Sequence, residues 1–267
     1  MVKTIKAFFK IKEAAKEIAL RSELFYYIYL KYKGAHKQSI CPGFIPPNAV
    51  LTTEQEYKDA LNKIKSSGLI PHIDLPKNWD SLGALYQVLK QTGKSASILD
   101  AGGQLYSVIL PWLFLYGYKD LTSLDLAFLG KITRGPINYK YGDITCTDFK
   151  NASFDAVTCL SVIEHGVNVE EYFREMSRII KPGGILITSV DYWESPVDTK
   201  GQVAFGVPIH IYTPDEILEA INVAKKYNFE LVGDVELKCK DRVVEWNGLK
   251  FTFIYFTLRR KTNKDAS

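Results

Sequence analysis

The sequence predicts an α/β fold: a mostly parallel seven-stranded sheet with helices on both faces, behind an N-terminal helical extension. Three observations predict it. From residue 97 onward, short apolar runs of strand length alternate with helical patterns, as in parallel sheets joined by crossover helices. A glycine pair, Gly102-Gly103, directly follows the first of these runs. A Lys-Pro-Gly-Gly block at 181–184 separates the clearest helix from the strand after it, because Pro and Gly end what they cannot continue.

The elements follow in order. Apolar positions at helical spacing over 2–32 (Val2, Ile5, Phe9, Ala15, Ile18, Ala19, then Phe25 onward), with Lys and Glu between them, give one or two amphipathic helices. Residues 34–50 are a loop, and Thr53 begins a helix that ends near Gly68. Residues 71–80 are expected to be loop, and Ser81–Gln91 a helix. Strands are expected at Ser97–Asp100, Leu121–Leu126, Ile137–Tyr141, Phe154–Leu160 and Ile185–Val190, with a helix at Val169–Ile180. Thr213-Pro214-Asp215-Glu216 opens a further helix, with Pro at its first position and a Thr/Glu capping box. Phe229–Leu237 and Lys250–Arg259 close the sheet. The chain thus divides into a helical cap over 1–92, a main Rossmann-like domain over 93–260 and a disordered tail over 261–267.

Bulk numbers exclude several classes. Hydrophobic residues at 46% and charged residues at 24% suit a folded globular chain. No apolar run reaches the roughly 18–20 residues of a membrane span, and no secretory signal pattern opens the chain. Cys41, Cys146, Cys159 and Cys239 are scattered, which reads as reduced packing residues in a cytoplasmic protein. The net charge of +4 is uneven: residues 1–37 carry nine Lys/Arg against three Glu, a surplus of +6, so the rest sums to −2. A core of that sign argues against a nucleic-acid partner. The basic helix over 1–33 is either a solvated packing helix or a peripheral membrane contact.

In parallel sheets, ligands bind beyond the carboxyl ends of the strands. Those ends present Asp100, Asp125, Asp143, the stretch Ser161–His165, and Asp191 with Tyr192. A glycine turn after the first strand lets a ligand approach the backbone. An acid ending the second strand can accept hydrogen bonds from both hydroxyls of a ribose. Asp125 is so placed, and Asp143 could accept from an adenine amino group. The dinucleotide fingerprint is broken, since Gln104 and Ser107 stand where GxGxxG needs glycine.

Asp100-Ala101-Gly102 resembles motif I of the class I S-adenosylmethionine-dependent methyltransferases. Ser123-Leu124-Asp125-Leu126 resembles their acidic second motif, and Tyr141-Gly142-Asp143-Ile144-Thr145 their adenine-holding segment. Phe154 through His165 is similar to their fourth strand and its loop, and Ile180-Lys181-Pro182-Gly183-Gly184 to the turn before their fifth. The resemblance implies S-adenosyl-L-methionine as cofactor, held by Asp100, Gly102, Gly103, Asp125, Leu126, Asp143, Ile144 and Ser161. Within that set it gives Asp125 the ribose, Asp143 the adenine amino group and Ile144 the ring edge. Gly102 and Gly103 would pass beside the methionine portion, with Ser161 nearby. For Asp100, a structural role at the turn stands beside direct contact. Gln104 and Tyr106 replace residues that are usually small, so they either crowd the cofactor or belong to a reshaped turn.

The implied reaction is attack by an acceptor nucleophile on a sulfonium methyl, which requires positioning but no metal. His165 is the candidate base, with a loop-capping role as the alternative. Asp191 and Tyr192 are candidates for positioning the acceptor. Residues 192–212 and the helices of 1–92 are expected to enclose it. The acceptor class is a small molecule, saccharide or lipid-linked intermediate, methylated at oxygen or nitrogen. A binding protein that keeps the fold without turnover is an alternative, as is a nicotinamide-dependent oxidoreductase.

Overall fold

The computed structural model describes residues 12–38 and 43–262. The start of the first amphipathic helix, Cys41, and the tail from residue 263 on lie outside the described residues.

One large sheet organises the chain. It runs β1 (Ala49–Val50), β12 (Leu249–Arg260), β7 (Ile180–Tyr192), β6 (Phe154–Leu160), β2 (Ser97–Ala101), β3 (Asp120–Asp125), β5 (Ile137–Tyr141) and β4 (Ile132–Arg134). β10 (Phe229–Leu231) and β11 (Val244–Trp246) pair with β12 off this path. The pairs β2/β3, β2/β6, β3/β5 and β6/β7 are parallel, and β12 returns antiparallel to β7. The seven expected strands are therefore β2, β3, β5, β6, β7, β10 and β12. Phe229–Leu237 is cut to its first three residues. β1, β4 and β11 are additions of two or three residues, too short to leave a periodic signal.

Helices cover both faces. They are α1 (described over residues 12–20), α2 (Glu23–Tyr32), α3 (Glu54–Ser66), α4 (Lys77–Gln91), α5 (Ile109–Leu115), α6 (Val169–Ile179) and α7 (Pro214–Lys226). One apolar cluster joins Leu20, Tyr26 and Leu30 of the first helices and Leu82, Leu85 and Val88 of α4 to Ile98, Leu121, Ile187 and Tyr255 of the sheet. The described part of residues 1–92 thus shares a core with the sheet, and β1 adds a strand to it. On the opposite face, α6 and α7 pack Phe173, Met176, Ile217 and Ala220 against Val157, Leu186 and Phe256.

One boundary differs in a way that matters. α4 begins at Lys77, a full turn before the expected Ser81. Pro76 already has helical dihedrals (φ −59°, ψ −32°). The Asn78 amide also donates to the carbonyls of His72 and Leu75, folding the incoming loop onto the helix start. Lys77 and Asp80 are thereby brought into a helix that points at the sheet.

The block at 181–184 does not separate helix from strand as expected: α6 ends at Ile179 and β7 starts at Ile180, so the block lies inside β7, where Lys181 pairs with Asp155 at 2.7 Å. Residues 192–212 carry a small hairpin, β8 (Val203–Ala204) with β9 (Val207–Pro208). At α7, the Thr213 backbone N–H donates to Glu216 at 2.8 Å, which seats the cap as expected.

Candidate active site at the carboxyl edge of the sheet

β2 ends in Asp100, and the chain then turns sharply. Gly102 adopts φ +81°, and a β-carbon there would overlap the Val162 side chain. A β-carbon on Gly103 would overlap the Asp100 carboxylate. That carboxylate is buried and accepts from Ser107 Oγ (2.6 Å) and Thr158 Oγ1 (2.8 Å). Burial pushes its pKa up to about 6. Asp100 is thus the internal brace of the turn.

β3 delivers Asp125 to the same edge, half-buried, with Oδ1 accepting from the Ala127 N–H at 2.6 Å. Desolvation raises its pKa, while hydrogen bonds from Ala127 and the Gln104 side chain oppose the rise. Tyr106 is 55% exposed, its ring 6.1 Å from that of His72 on the rim. Neither the Gln104 nor the Tyr106 side chain is buried in the turn. Leu126 is exposed beside Asp125. Asp143, also exposed, folds Oδ1 onto Thr145 (2.8 Å to N, 2.7 Å to Oγ1), and Ile144 is buried in the α6/α7-side core.

Beyond β6 the chain turns again at Ser161, whose φ is +54°. Its N–H donates to the Ser189 carbonyl of β7 at 2.9 Å. The Lys77 ammonium, arriving from α4, donates to Ser161 Oγ at 2.6 Å and to Asp80, and stands 4.6 Å above the Phe253 ring centre. Ser189 Oγ also donates to Asp80, at 2.7 Å. Asp80 Oδ1 and both carboxylate oxygens of Glu164 are buried without a hydrogen bond. Burial pushes Glu164 up to about 7. It also drives Asp191 well above the usual carboxylate range, helped by the neighbouring charge of Glu164 and opposed by Lys77. One lysine thus faces three buried acids.

His165 is half-buried, its ring 5.1 Å from Phe205 of the hairpin loop. Burial, then the charge of Lys77, lowers its pKa, so the neutral imidazole dominates at neutral pH. The returning chain closes this side, because the His210 N–H donates to the Glu164 carbonyl (3.1 Å) and the Tyr212 N–H to the Asp191 carbonyl (2.9 Å). A cavity of about 290 Å³ outside this segment is lined by Pro196, Val197, His210, Ile211, Thr213 and Glu216, and touches the site only through His210.

The edge therefore brings together Asp100, Gly102, Gly103 and Asp125 on one side, and Ser161, Glu164, His165 and Asp191 on the other. Tyr192 is not among them. Its ring is buried in the core and its hydroxyl donates to the Leu237 carbonyl, because the residue after Asp191 on a strand points to the other face. Lys77, Asp80 and Glu164 were not anticipated. Pro76 followed four residues later by Asp80 was the available signal for the first two. Among the described residues, no group of three His, Cys, Asp or Glu side chains is arranged to hold a metal ion.

Residues 103–188 match the family model described as a methyltransferase domain. A sterol 24-C-methyltransferase of Aspergillus fumigatus is 23% identical over 116 residues, covering 41% of this chain and 31% of that protein. The chain thus aligns with about a third of the length of that relative. A solved S-adenosylmethionine-dependent methyltransferase from Mesorhizobium loti superposes with a TM-score of 0.53 at 20% identity, covering 68% of this chain and 98% of the other. Geranyl diphosphate C-methyltransferase from Streptomyces coelicolor, solved with S-adenosyl-L-homocysteine, gives 0.53 at 12% identity, covering 88% and 98%. The sheet order, the turn after β2 and the matched segment agree: the chain has the Rossmann-like fold of the class I S-adenosylmethionine-dependent methyltransferases, and its residues 103–188 match a methyltransferase domain.

Proposed function

We propose that the chain binds S-adenosyl-L-methionine along this edge and transfers its methyl group to an oxygen or nitrogen of a small-molecule, saccharide or lipid-linked acceptor. One observation carries the reading. A half-buried carboxylate at the end of β3 and a half-buried, neutral histidine after β6 flank the same glycine turn.

The residues fit the cofactor. Asp125 retains an oxygen beyond its bond to Ala127 and accepts the ribose hydroxyls, with Gln104 steadying it. Asp143 and the backbone at Ile144 and Leu126 border the adenine. Ser161 and Lys77 close the methionine end, Lys77 offering a cation to its carboxylate. When bound, the cofactor supplies an electrophilic methyl group on a sulfonium. His165 takes the acceptor's proton on a ring nitrogen, Nδ1 being buried without a hydrogen bond. The 192–212 segment keeps water from that face. Glu164 and Asp191, both pushed by burial toward the protonated form, border the acceptor side.

A second reading, transfer to carbon, is favoured by the names of the relatives, one acting on a sterol and one on geranyl diphosphate. Calorimetric titration with S-adenosylhomocysteine tests what both share. Saturable binding is expected, weakened about 30-fold by Asp125→Ala, the worth of hydrogen bonds to a charged group. Heat with NAD and none with S-adenosylhomocysteine would overturn the proposal.

A further inference from the structure

α2 packs on the molecule by one stripe and leaves the other bare. Tyr26 and Leu30 are buried, Tyr26 stacking 5.7 Å from Phe114 and covering Gly135. On the opposite side, Leu24, Phe25, Ile28 and Tyr32 are 64, 55, 51 and 85% exposed. Their spacing keeps them on one helical face, and Ile18 of α1, 62% exposed, precedes them. Four large apolar side chains in a row on ten residues exceed the scatter normal at a soluble surface.

The charges around this row have one sign left over. Its acids are spent on ion pairs: Glu13 with Lys16 (3.1 Å), Glu17 with Arg134 (2.7 Å) and Glu23 with Lys119. Among the described residues, no ion pair compensates Lys12, Arg21, Lys31, Lys33 or Lys37. Lys31 and Lys33 lie over the rings of Tyr27 and Tyr29, at 5.0 and 5.9 Å, with their stems along apolar surface. A second copy meeting this face would set two segments of +6 against each other.

We infer that the α1–α2 face docks this protein on an anionic phospholipid bilayer, with the apolar row entering the acyl boundary and the lysines at the headgroups. No helix among the described residues is long and apolar enough to cross a membrane, so the contact is peripheral. The inference does not depend on methyl transfer.

Flotation of the full-length chain with vesicles tests it. Binding is expected to phosphatidylcholine vesicles containing phosphatidylglycerol, and not to pure phosphatidylcholine, with loss at high salt. The double variant Phe25→Glu/Ile28→Glu should lower partitioning by about tenfold or more, with an unchanged circular dichroism spectrum because both positions are exposed. Lys31→Glu/Lys33→Glu should lower it as well, which keeps the test valid if the first variant misfolds. Equal binding to neutral vesicles, no binding to either, or unaltered binding of both variants would overturn the inference. So would a dimer in sedimentation that Phe25→Glu/Ile28→Glu dissolves in the absence of lipid.

Discussion

In the half of the cleft made by β2, β3 and the turn between them, each buried or half-buried acid has donors. Asp100 holds Ser107 and Thr158, and Asp125 holds Ala127. In the half made by α4, β6 and β7, Asp80 leaves one oxygen unpaired, Glu164 leaves two, and Lys77 is the cation among them. The first half is held rigid by its own bonds. The second keeps buried polar groups unsatisfied, an arrangement that costs stability and persists where a ligand completes it. The difference separates a half closed by its own hydrogen bonds from a half left open to a ligand.

The sharpest way to break the first half is to fill its turn. Gly103→Ala places a methyl group on the Asp100 carboxylate, which Ser107 and Thr158 hold in place. Overpacking with loss of a buried hydrogen bond costs about 3 kcal/mol, which should lower the melting temperature by about 10 °C. A melting temperature within a degree or two of wild type would mean that the carboxylate is free to move and the turn is not braced.

Lys77 stands at the boundary between the halves. Its removal alone would leave Asp80 buried and uncompensated, so Lys77→Met is best combined with Asp80→Asn. Affinity for S-adenosylhomocysteine should then fall about tenfold, the worth of one charge-assisted contact. Affinity for 5′-methylthioadenosine, which lacks the amino-acid carboxylate, should not change. Equal losses for both ligands, measured by calorimetry, would assign Lys77 to the fold and not to the methionine end.

The same division explains what was legible in the sequence. The first half lies within contiguous motifs, so the turn at Gly102, the acid at Asp125 and the order of the parallel strands could be read from local pattern. The half made by α4, β6 and β7 is assembled from residues more than 80 apart, such as Lys77 with Ser161 and Asp80 with Ser189. Its helix starts a turn early, because Pro76 and the Asn78 amide outweigh the loop-like composition of 71–80. Tyr192 failed as a candidate for a reason the sequence does contain. Adjacent residues on a strand face opposite ways, so Asp191 and Tyr192 could not both reach the cleft.

The smallest effect expected separates a satisfied acid from an unsatisfied one. Glu164 is buried, and its pKa in the folded chain, about 7, lies above the ordinary 4.5. A raised pKa means that the folded state favours the protonated acid. That contribution is fully present below pH 4.5 and is lost as the pH rises through 7. Glu164→Gln keeps the shape without the charge. It should therefore leave stability at about pH 4 unchanged and raise it at about pH 8, as read by urea unfolding at both values. Destabilisation at the higher pH would show instead that the carboxylate is ionised and held by Lys77. The second half would then be a closed ion-pair network, and its contrast with the first would disappear.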